Sequence, residues 1–422
     1  MKVLVVGSGG REHALVYKIA QSSKVERIYC APGNAGIEEL AERVPVQADD
    51  LEGLAGFAQK EAIDLTVVGP EAPLCAGIAD LFTKRGLRVF GPTRSGARLE
   101  GSKVFSKNFF RRHKIPTADY QVFDDPAAAA TYIRARGAPV VVKADGEAKG
   151  KGAVVAEDLD TALAAVDDIM VKRVFGASGD RLIVEEFLVG QEMSVQVFTD
   201  GEAVVPMEPA RDYKRALDHD EGPNTGGMGC YSPVPLVSPD IMNAAIRNII
   251  HPTVAGLRQE GVRFRGVLYA GLMLTNGGLK ILEYNVRFGD PEAQVVLPRI
   301  KTDLVDVLVA TADGELSALD VEWHEDAAVC VVMASGGYPG AYETGKPVHG
   351  LERAKEMRNV VVFHAGTERR DGQVVTSGGR VLGVTGLGAD IGEARRTAYA
   401  AVEVVSFEAA EFRGDIAKGV AR

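Results

Sequence analysis

The chain has 422 residues, a formal net charge of −10, 46% hydrophobic residues and 25% charged residues. That is enough apolar material for two or three globular domains, and the negative balance argues against a nucleic-acid surface. No apolar run is long enough to span a bilayer, the N-terminus reads as a strand and not a signal peptide, and Cys30, Cys75, Cys230 and Cys330 are scattered without metal-like pairing, so a reduced, cytoplasmic setting is expected.

Lys2 to Gly7 is an apolar strand running into Gly7-Ser8-Gly9-Gly10-Arg11-Glu12-His13 and then an amphipathic segment to about Gln21. A glycine loop between strand and helix offers backbone N–H groups and a helix N-terminus to a phosphate. A nicotinamide fold is the obvious rival, but its third glycine would fall on Glu12. The next strand, Arg27 to Ala31, ends in Pro32-Gly33-Asn34 instead of a ribose-binding acid. A tight turn that binds nothing is the plainer alternative. Strands at Asp64 to Val68 and Arg88 to Phe90, with a helix from Pro73 to Arg85 between them, predict a doubly wound parallel sheet over residues 1–100.

Ser102 to His113 reads as a helix ended by Ile115-Pro116, with Lys103 and Lys107 one turn apart and able to face a polyphosphate together. An ordinary solvated face is the alternative. Pro139 to Asp145 is a buried strand carrying Lys143, an expensive placement unless the lysine meets an anion. The run Gly146-Glu147-Ala148-Lys149-Gly150-Lys151-Gly152 follows, then the strand Ala153 to Ala156. This predicts a glycine-rich hairpin flap over phosphates and is not a Walker loop, which needs GxxxxGK[ST] opening a helix. The strand Arg181 to Val184 leads into Glu185-Glu186-Phe187-Leu188 and Glu192, acids beside an apolar pair that suit an adenine and its ribose, or simply a solvated turn. Asp212-Tyr213-Lys214-Arg215 and the run Gly222 to Gly229 then form a long glycine-rich charged loop, of a kind that is usually functional.

Leu268 to Leu274, the turn Asn276-Gly277-Gly278 and Lys280 to Asn285 predict a hairpin. Period two puts Glu283 and Asn285 on one face and Leu282 with Tyr284 on the other. A carboxylate and an amide oxygen pointing together suit a hard cation such as Mg²⁺ shared with phosphates. Arg287, Asp290, Pro291 and Glu292 crowd the strand's end. After Trp323, strands at Ala327 to Ala334, Val360 to Phe363 and Val381 to Val384 precede a helix from about Ile391 to Val405, a small α+β domain whose His324, His349 and His364 lack metal-ligand spacing.

Taken together, the runs GSGGREHAL at 7–15, APGNAG at 31–36, VGPEAPL at 68–74, LEGSKVFSK at 99–107, VVKADG at 141–146, EEFL at 185–188, GPNTGGMGCYSP at 222–233, RFGDPE at 287–292 and GGYPG at 336–340 resemble the phosphoribosylamine–glycine ligase family of ATP-grasp enzymes, nearly end to end. The resemblance implies an α/β and α+β multidomain chain: an N-terminal domain over 1–100, an ATP-grasp domain over 101–325 with a flap-bearing part at about 120–190, and a C-terminal domain over 326–422. It implies ATP as substrate with Mg²⁺ or Mn²⁺, glycine and 5-phosphoribosylamine as the other substrates, no nucleic-acid or membrane partner, and a monomer. By the same resemblance Glu283 and Asn285 hold the metal. Lys143 with Lys103 or Lys107 neutralises phosphates under the flap (Gly146, Gly150, Lys151 and Gly152), while Glu185, Glu186, Phe187, Leu188 and Glu192 frame the nucleoside. Arg287, with Asp212, Lys214, Arg215, Asn224, Asp290, Pro291 and Glu292, would orient glycine and stabilise the acyl phosphate, and Gly9, Gly10, Arg11 and Glu12 would hold the ribosylamine phosphate. The flap departs from the family in carrying Glu147 and Lys149 where small or apolar residues are usual.

Overall fold

In the computed structural model, residues 1–146 and 152–420 are described. The first sheet is parallel and five-stranded, in the order Glu42–Arg43, Arg27–Pro32, Lys2–Gly7, Leu65–Val68, Val89–Phe90. Its central strand is apolar and fully buried from Val3 to Val6 because both faces are covered. Leu4 and Val6 enter a core shared with Leu268, Ile281 and Tyr284, while Val3 and Val5 enter another with Val307, Cys330 and Phe363. The first strand therefore ties this sheet to both later parts of the chain. The expected helix from Pro73 to Arg85 is two helices, Glu71–Ala76 and Ile78–Lys84, broken at Gly77, whose φ of +97° only glycine adopts without strain.

Two antiparallel sheets face each other across the middle of the chain. One runs Tyr120–Phe123, Leu182–Glu186, Val140–Ala144, Ala153–Ala156 and has its own small core around Ile133, Val142 and Leu182. The other runs Val204–Pro206, Gln191–Thr199, Gly266–Thr275, Gly278–Asn285. A last sheet, in the order Arg211–Asp212, Gly229–Ser232, Ala327–Ser335, Arg380–Gly388, Val360–His364, is covered by the helix Ile391–Val402. Two of its strands come from well before residue 326, so the late sheet reaches back to the middle of the chain.

The long loop predicted at 212–229 is largely ordered as strand. Arg215–Leu217 and Glu221–Asn224 form a hairpin, and Gly229–Ser232 pairs with Ala328 to Val331. Glycine and proline hid Glu221–Asn224, and Gly229–Ser232 has its partner about a hundred residues on, so neither shows alternation. Among the described residues no helix is long and apolar enough to cross a membrane. Of the predicted flap, positions 147 to 151, including Glu147, Lys149, Gly150 and Lys151, lie outside the described residues.

Candidate active site

The helix Lys103–Arg112 starts at an Ser102 cap, and the Ser102 hydroxyl and Val104 N–H both reach Asp145, 2.9 and 3.1 Å away, at the base of the flap. That anchors one lysine on each turn. Lys103 Nζ donates to Gly146 O at 3.3 Å. Lys107 is buried, 3.0 Å from Glu185 Oε2, and Lys143 lies 3.1 Å from the same oxygen. The strand Leu182–Glu186 runs two residues further than predicted, so Glu185 and Glu186 point to opposite faces. Glu186 turns away from the lysines to Lys280 and the Asp119 N–H, both at 3.3 Å. Glu185 Oε1 is buried and has no hydrogen-bond partner among the described residues, which leaves it able to accept from a bound group. Burial pushes Lys107 down to about 8, and the charge of Lys143 adds to this, although Glu185 opposes both. For Lys143 burial also works against the charge, but Glu185 and Glu283 outweigh it and leave the lysine above its ordinary value.

The metal strand departs from strict alternation. Gly271 pairs with Glu283 but Leu272 with Ile281, so Leu282 is bulged out of the ladder. Ile281 and Tyr284 therefore share the inner core, with the Tyr284 hydroxyl 2.7 Å from Thr253 Oγ1. Leu282, predicted beside Tyr284, instead packs with Ala118, Leu188 and Met273 in a small apolar group apart from the main cores. That group lies next to Thr117, whose hydroxyl joins Lys107 Nζ (2.8 Å) to Ile281 O (2.7 Å). Apolar side chains grouped near a buried carboxylate oxygen are the kind of lining that suits a purine ring.

Glu283 is held below its ordinary value: burial opposes ionisation, but Lys103, Lys214, Lys143 and Arg287 together prevail. Its carboxylate accepts no hydrogen bond from the described residues. Asn285 Oδ1 accepts from Arg287 at 3.2 Å. Among the described residues no set of three or more His, Cys, Asp or Glu side chains could hold a metal ion. Two hard oxygen donors with open positions fit a Mg²⁺ whose remaining ligands are phosphate oxygens and water.

Arg287 lies 2.9 Å from Glu100 and 3.3 Å from Glu71, and donates to Phe288 O at 3.2 Å. Glu100 also accepts the Val286 N–H at 2.7 Å, and burial pushes it up to about 7 against the pull of Arg287. Asp212 and Lys214 face Glu283. Burial holds Asp212 above the usual carboxylate range, with Lys214 pulling the other way, and Asp212 raises Lys214 in turn. Lys214 also reaches Glu192, half-exposed, at 3.6 Å. Glu292 accepts from the Tyr269 hydroxyl at 2.5 Å; burial, with Asp212 nearby, pushes it up to about 7.

The remaining expected residues sit elsewhere. Arg215 donates to Gly222 O at 2.6 Å and Asn224 is exposed beside it, so both stay in the outer hairpin. Pro291 supports the Gly226-Gly227 turn: a Cβ on Gly227 would come 2.5 Å from its ring. Phe187 is half-buried. Arg11 and Glu12 are buried under the glycine loop. Arg11 Nε lies 2.6 Å from Glu12 Oε1, Arg11 reaches Phe288 O at 3.2 Å, and Glu12 Oε2 accepts the Gly9 N–H at 2.6 Å. The Glu12 side chain fills the space that a dinucleotide fold keeps for pyrophosphate approach, since a Cβ on Gly69 would lie 2.0 Å from Glu12 Oε1. Gly69→Ala is accordingly expected to cost about 1–3 kcal/mol in urea unfolding, because the pinned Glu12 cannot swing aside; an unchanged midpoint would refute that packing.

Above the loop, Ser8, Gly9, Asn34, Thr367, Ser377 and Arg380 line a cavity of about 310 Å³ between the first and last sheets. Its guanidinium is Arg380, 3.1 Å from Asp290 Oδ2, and not Arg11. Asn34 braces it by donating to Ser8 O (2.8 Å) and His364 O (2.7 Å). Sequence reasoning left Glu71, Glu100, Asn34 and Arg380 without roles. The first three stand inside recognisable runs, and Glu71 follows a parallel strand's C-terminal end, where ligands gather. Arg380 carries no local signal.

The chain matches the phosphoribosylglycinamide synthetase N domain over residues 1–100, the ATP-grasp (A) domain over 101–293 and the C domain over 328–419. It is 50% identical over 419 residues to the phosphoribosylamine–glycine ligase of Caldanaerobacter subterraneus subsp. tengcongensis, covering 99% of this chain and 100% of that one. It is 51% identical over 420 residues to the enzyme of that name from Escherichia coli K12, covering 99% and 98%. The crystal structure of the Thermotoga maritima phosphoribosylamine–glycine ligase superposes with a TM-score of 0.87 at 35% identity, over 99% of this chain and 100% of that chain. A Campylobacter jejuni biotin carboxylase solved as a β-γ-ATP complex shares the fold at 12% identity, with a TM-score of 0.73 over 97% and 92%. With all three of its domains matched and these relatives aligned almost end to end, the chain belongs to the phosphoribosylglycinamide synthetase family.

Proposed function

We propose that the chain ligates glycine to 5-phosphoribosylamine at the expense of ATP, giving glycinamide ribonucleotide, ADP and phosphate, as a step of purine biosynthesis in the cytoplasm. A carboxylate is a poor acyl donor because its leaving group would be oxide. In the first step a glycine carboxylate oxygen attacks the γ-phosphorus, the bond to the bridging oxygen breaks, and ADP leaves. In the second, the ribosylamine nitrogen attacks the carbonyl carbon of glycyl phosphate, phosphate departs, and the nitrogen loses a proton. Catalysis of phosphoryl transfer is mostly positioning and neutralisation of charge.

The observation that carries this reading is the Glu283 carboxylate, drawn toward four cationic side chains yet accepting no hydrogen bond from the described residues. Glu283 and Asn285 would hold Mg²⁺ or Mn²⁺, which when bound draws triphosphate oxygens into line and offsets their charge. Lys103, Lys107 and Lys143 line the opposite wall, and Glu185 Oε1 with the Leu188, Met273 and Leu282 group would receive the purine. Arg287, fixed by Glu71 and Glu100, would meet the transferring group and the acyl phosphate, with Asp212, Lys214 and Glu292 around the glycine. The cavity beside Arg380 would take the ribose phosphate, with Gly9 at its floor. Phosphate release should require ATP, Mg²⁺, glycine and freshly generated phosphoribosylamine, each omitted in turn. Full release with glycine left out would instead favour another carboxylate as acceptor.

Binding of triphosphate favours the protonated form of Lys107, whose value in the free protein is about 8. Affinity is thus fully present below that value and weakens as pH rises through it. ATP should bind up to about tenfold more weakly at pH 9 than at pH 7. Titration calorimetry checks this, and a Lys107→Met variant should lose the dependence; equal wild-type affinities at both pH values would contradict it.

A further inference from the structure

The segment 413–417 grips the outer hairpin, Arg215–Leu217 with Glu221–Asn224, that follows Asp212 and Lys214. Arg413 is 1% exposed at its side chain and spends its donors on two carboxylates and a carbonyl. Nε and Nη2 reach the two oxygens of Asp415, each at 2.7 Å, while Nη1 reaches Asp220 Oδ1 at 2.8 Å and Arg215 O at 3.1 Å. Its guanidinium lies 4.8 Å from the centre of the Tyr213 ring. Further ties run both ways: Gly414 N donates to Asp218 (2.8 Å), Ala417 N to the Tyr213 hydroxyl (2.9 Å), and His219 N to Asp415 (2.9 Å). The turn they hold carries two successive non-glycine residues in the left-handed region, His219 (φ 61°) and Asp220 (φ 56°). Such a turn is costly for these residues and persists where neighbours over-determine it.

Tyr213 stands between Asp212 and Lys214. In extended backbone its side chain points to the opposite face from theirs. Tyr213 packs with the late sheet's core beside Tyr231, while Asp212 and Lys214 face Glu283 and Glu192. Fixing the tyrosine from behind therefore sets how far the other two project into the site. We propose that Arg413 is a positioning residue for the ligase reaction, holding Tyr213 and the 215–224 hairpin so that Asp212 and Lys214 meet glycine and its acyl phosphate. This rests on the placement of Asp212 and Lys214 in the site given above. It assigns the segment 413–417 a part in catalysis although none of it faces the reacting atoms.

The test uses the full chain with Arg413→Ala, Arg413→Lys and, as a milder cut at a half-exposed partner, Asp220→Ala. Arg413→Ala is expected to lower kcat about tenfold or more, as displacement of site groups by a fraction of an ångström does. The KM for ATP should change less than twofold, because the lysine wall is untouched. Arg413→Lys should recover part of the loss, and Asp220→Ala should lose less than Arg413→Ala. Hydrogen exchange should quicken at the amides of Tyr213, Thr225 and Met228, which bond to Gly229, Lys214 and Tyr213 carbonyls, and not across the first sheet. Unchanged kcat in Arg413→Ala, or activity lost only in step with faster exchange everywhere, would overturn the proposal. Should Arg413→Ala fail to fold, Asp220→Ala decides alone by the same two readouts. Asp212→Asn with full turnover would instead overturn the site placement and so the catalytic half, while local exchange changes in Arg413→Ala would still support the mechanical half.

Discussion

Glu283→Ala is expected to abolish glycine-dependent phosphate release from ATP, a loss of about 10³-fold or more in kcat. The carboxylate sits among Lys103, Lys214, Lys143 and Arg287 with no hydrogen bond from the described residues, so little of the fold hangs on it directly. Its removal leaves Asn285 as the single oxygen donor on that face and exposes the triphosphate to cations with nothing opposite to fix their balance. Urea unfolding should therefore move little while turnover collapses, and nucleotide should still bind through the lysine wall. Retained turnover in a folded Glu283→Ala protein would remove the metal role.

Arg287→Lys is expected to lower kcat by about 10²-fold and to cost about 3 kcal/mol of stability. The guanidinium spans Glu71, Glu100, Asn285 and Phe288 O at once, a fork that an ammonium cannot reproduce. The stability loss should depend on pH with a definite sign. Burial already raises Glu100 from 4.5 to about 7, so in the folded state it keeps a proton that the unfolded chain gives up; its contribution falls as pH rises through that interval. Losing the guanidinium raises Glu100 further, and the deficit of the variant should be larger at pH 8 than at pH 6. A deficit that stays constant over that range would show that Arg287 does not hold Glu100.

How far the sequence reveals this arrangement depends on whether the responsible interaction is local. Lys143 stands out because an isolated lysine in an apolar strand demands an anion nearby, and the hairpin turn at Asn276-Gly277 places Glu283 and Asn285 on one face. The five parallel strands of the first sheet are visible as apolar runs ending in glycine, apart from the short edge Glu42–Arg43. Leu282 is misplaced by alternation because the bulge is set by pairing with Gly271 and Leu272 and leaves no mark on its own strand. Arg11 and Glu12 look like ligand residues on a phosphate loop, yet they satisfy each other beneath it. Arg380 and Arg413 act across 90 and 193 residues of chain and have no periodicity to announce them. What the glycine-rich stretch at 222–229 signals in sequence is only that the backbone turns tightly; that its neighbour is a clasped hairpin emerges from contacts made by residues 413–417.

The most direct measurement is a crystal structure with a non-hydrolysable ATP analogue, Mg²⁺ and glycine. The account predicts the ion within about 2.0–2.1 Å of Glu283 and Asn285 oxygens, the phosphates against Lys103, Lys107 and Lys143, and the purine against Leu188, Met273 and Leu282. A triphosphate bound elsewhere, with no ion at Glu283, would contradict it.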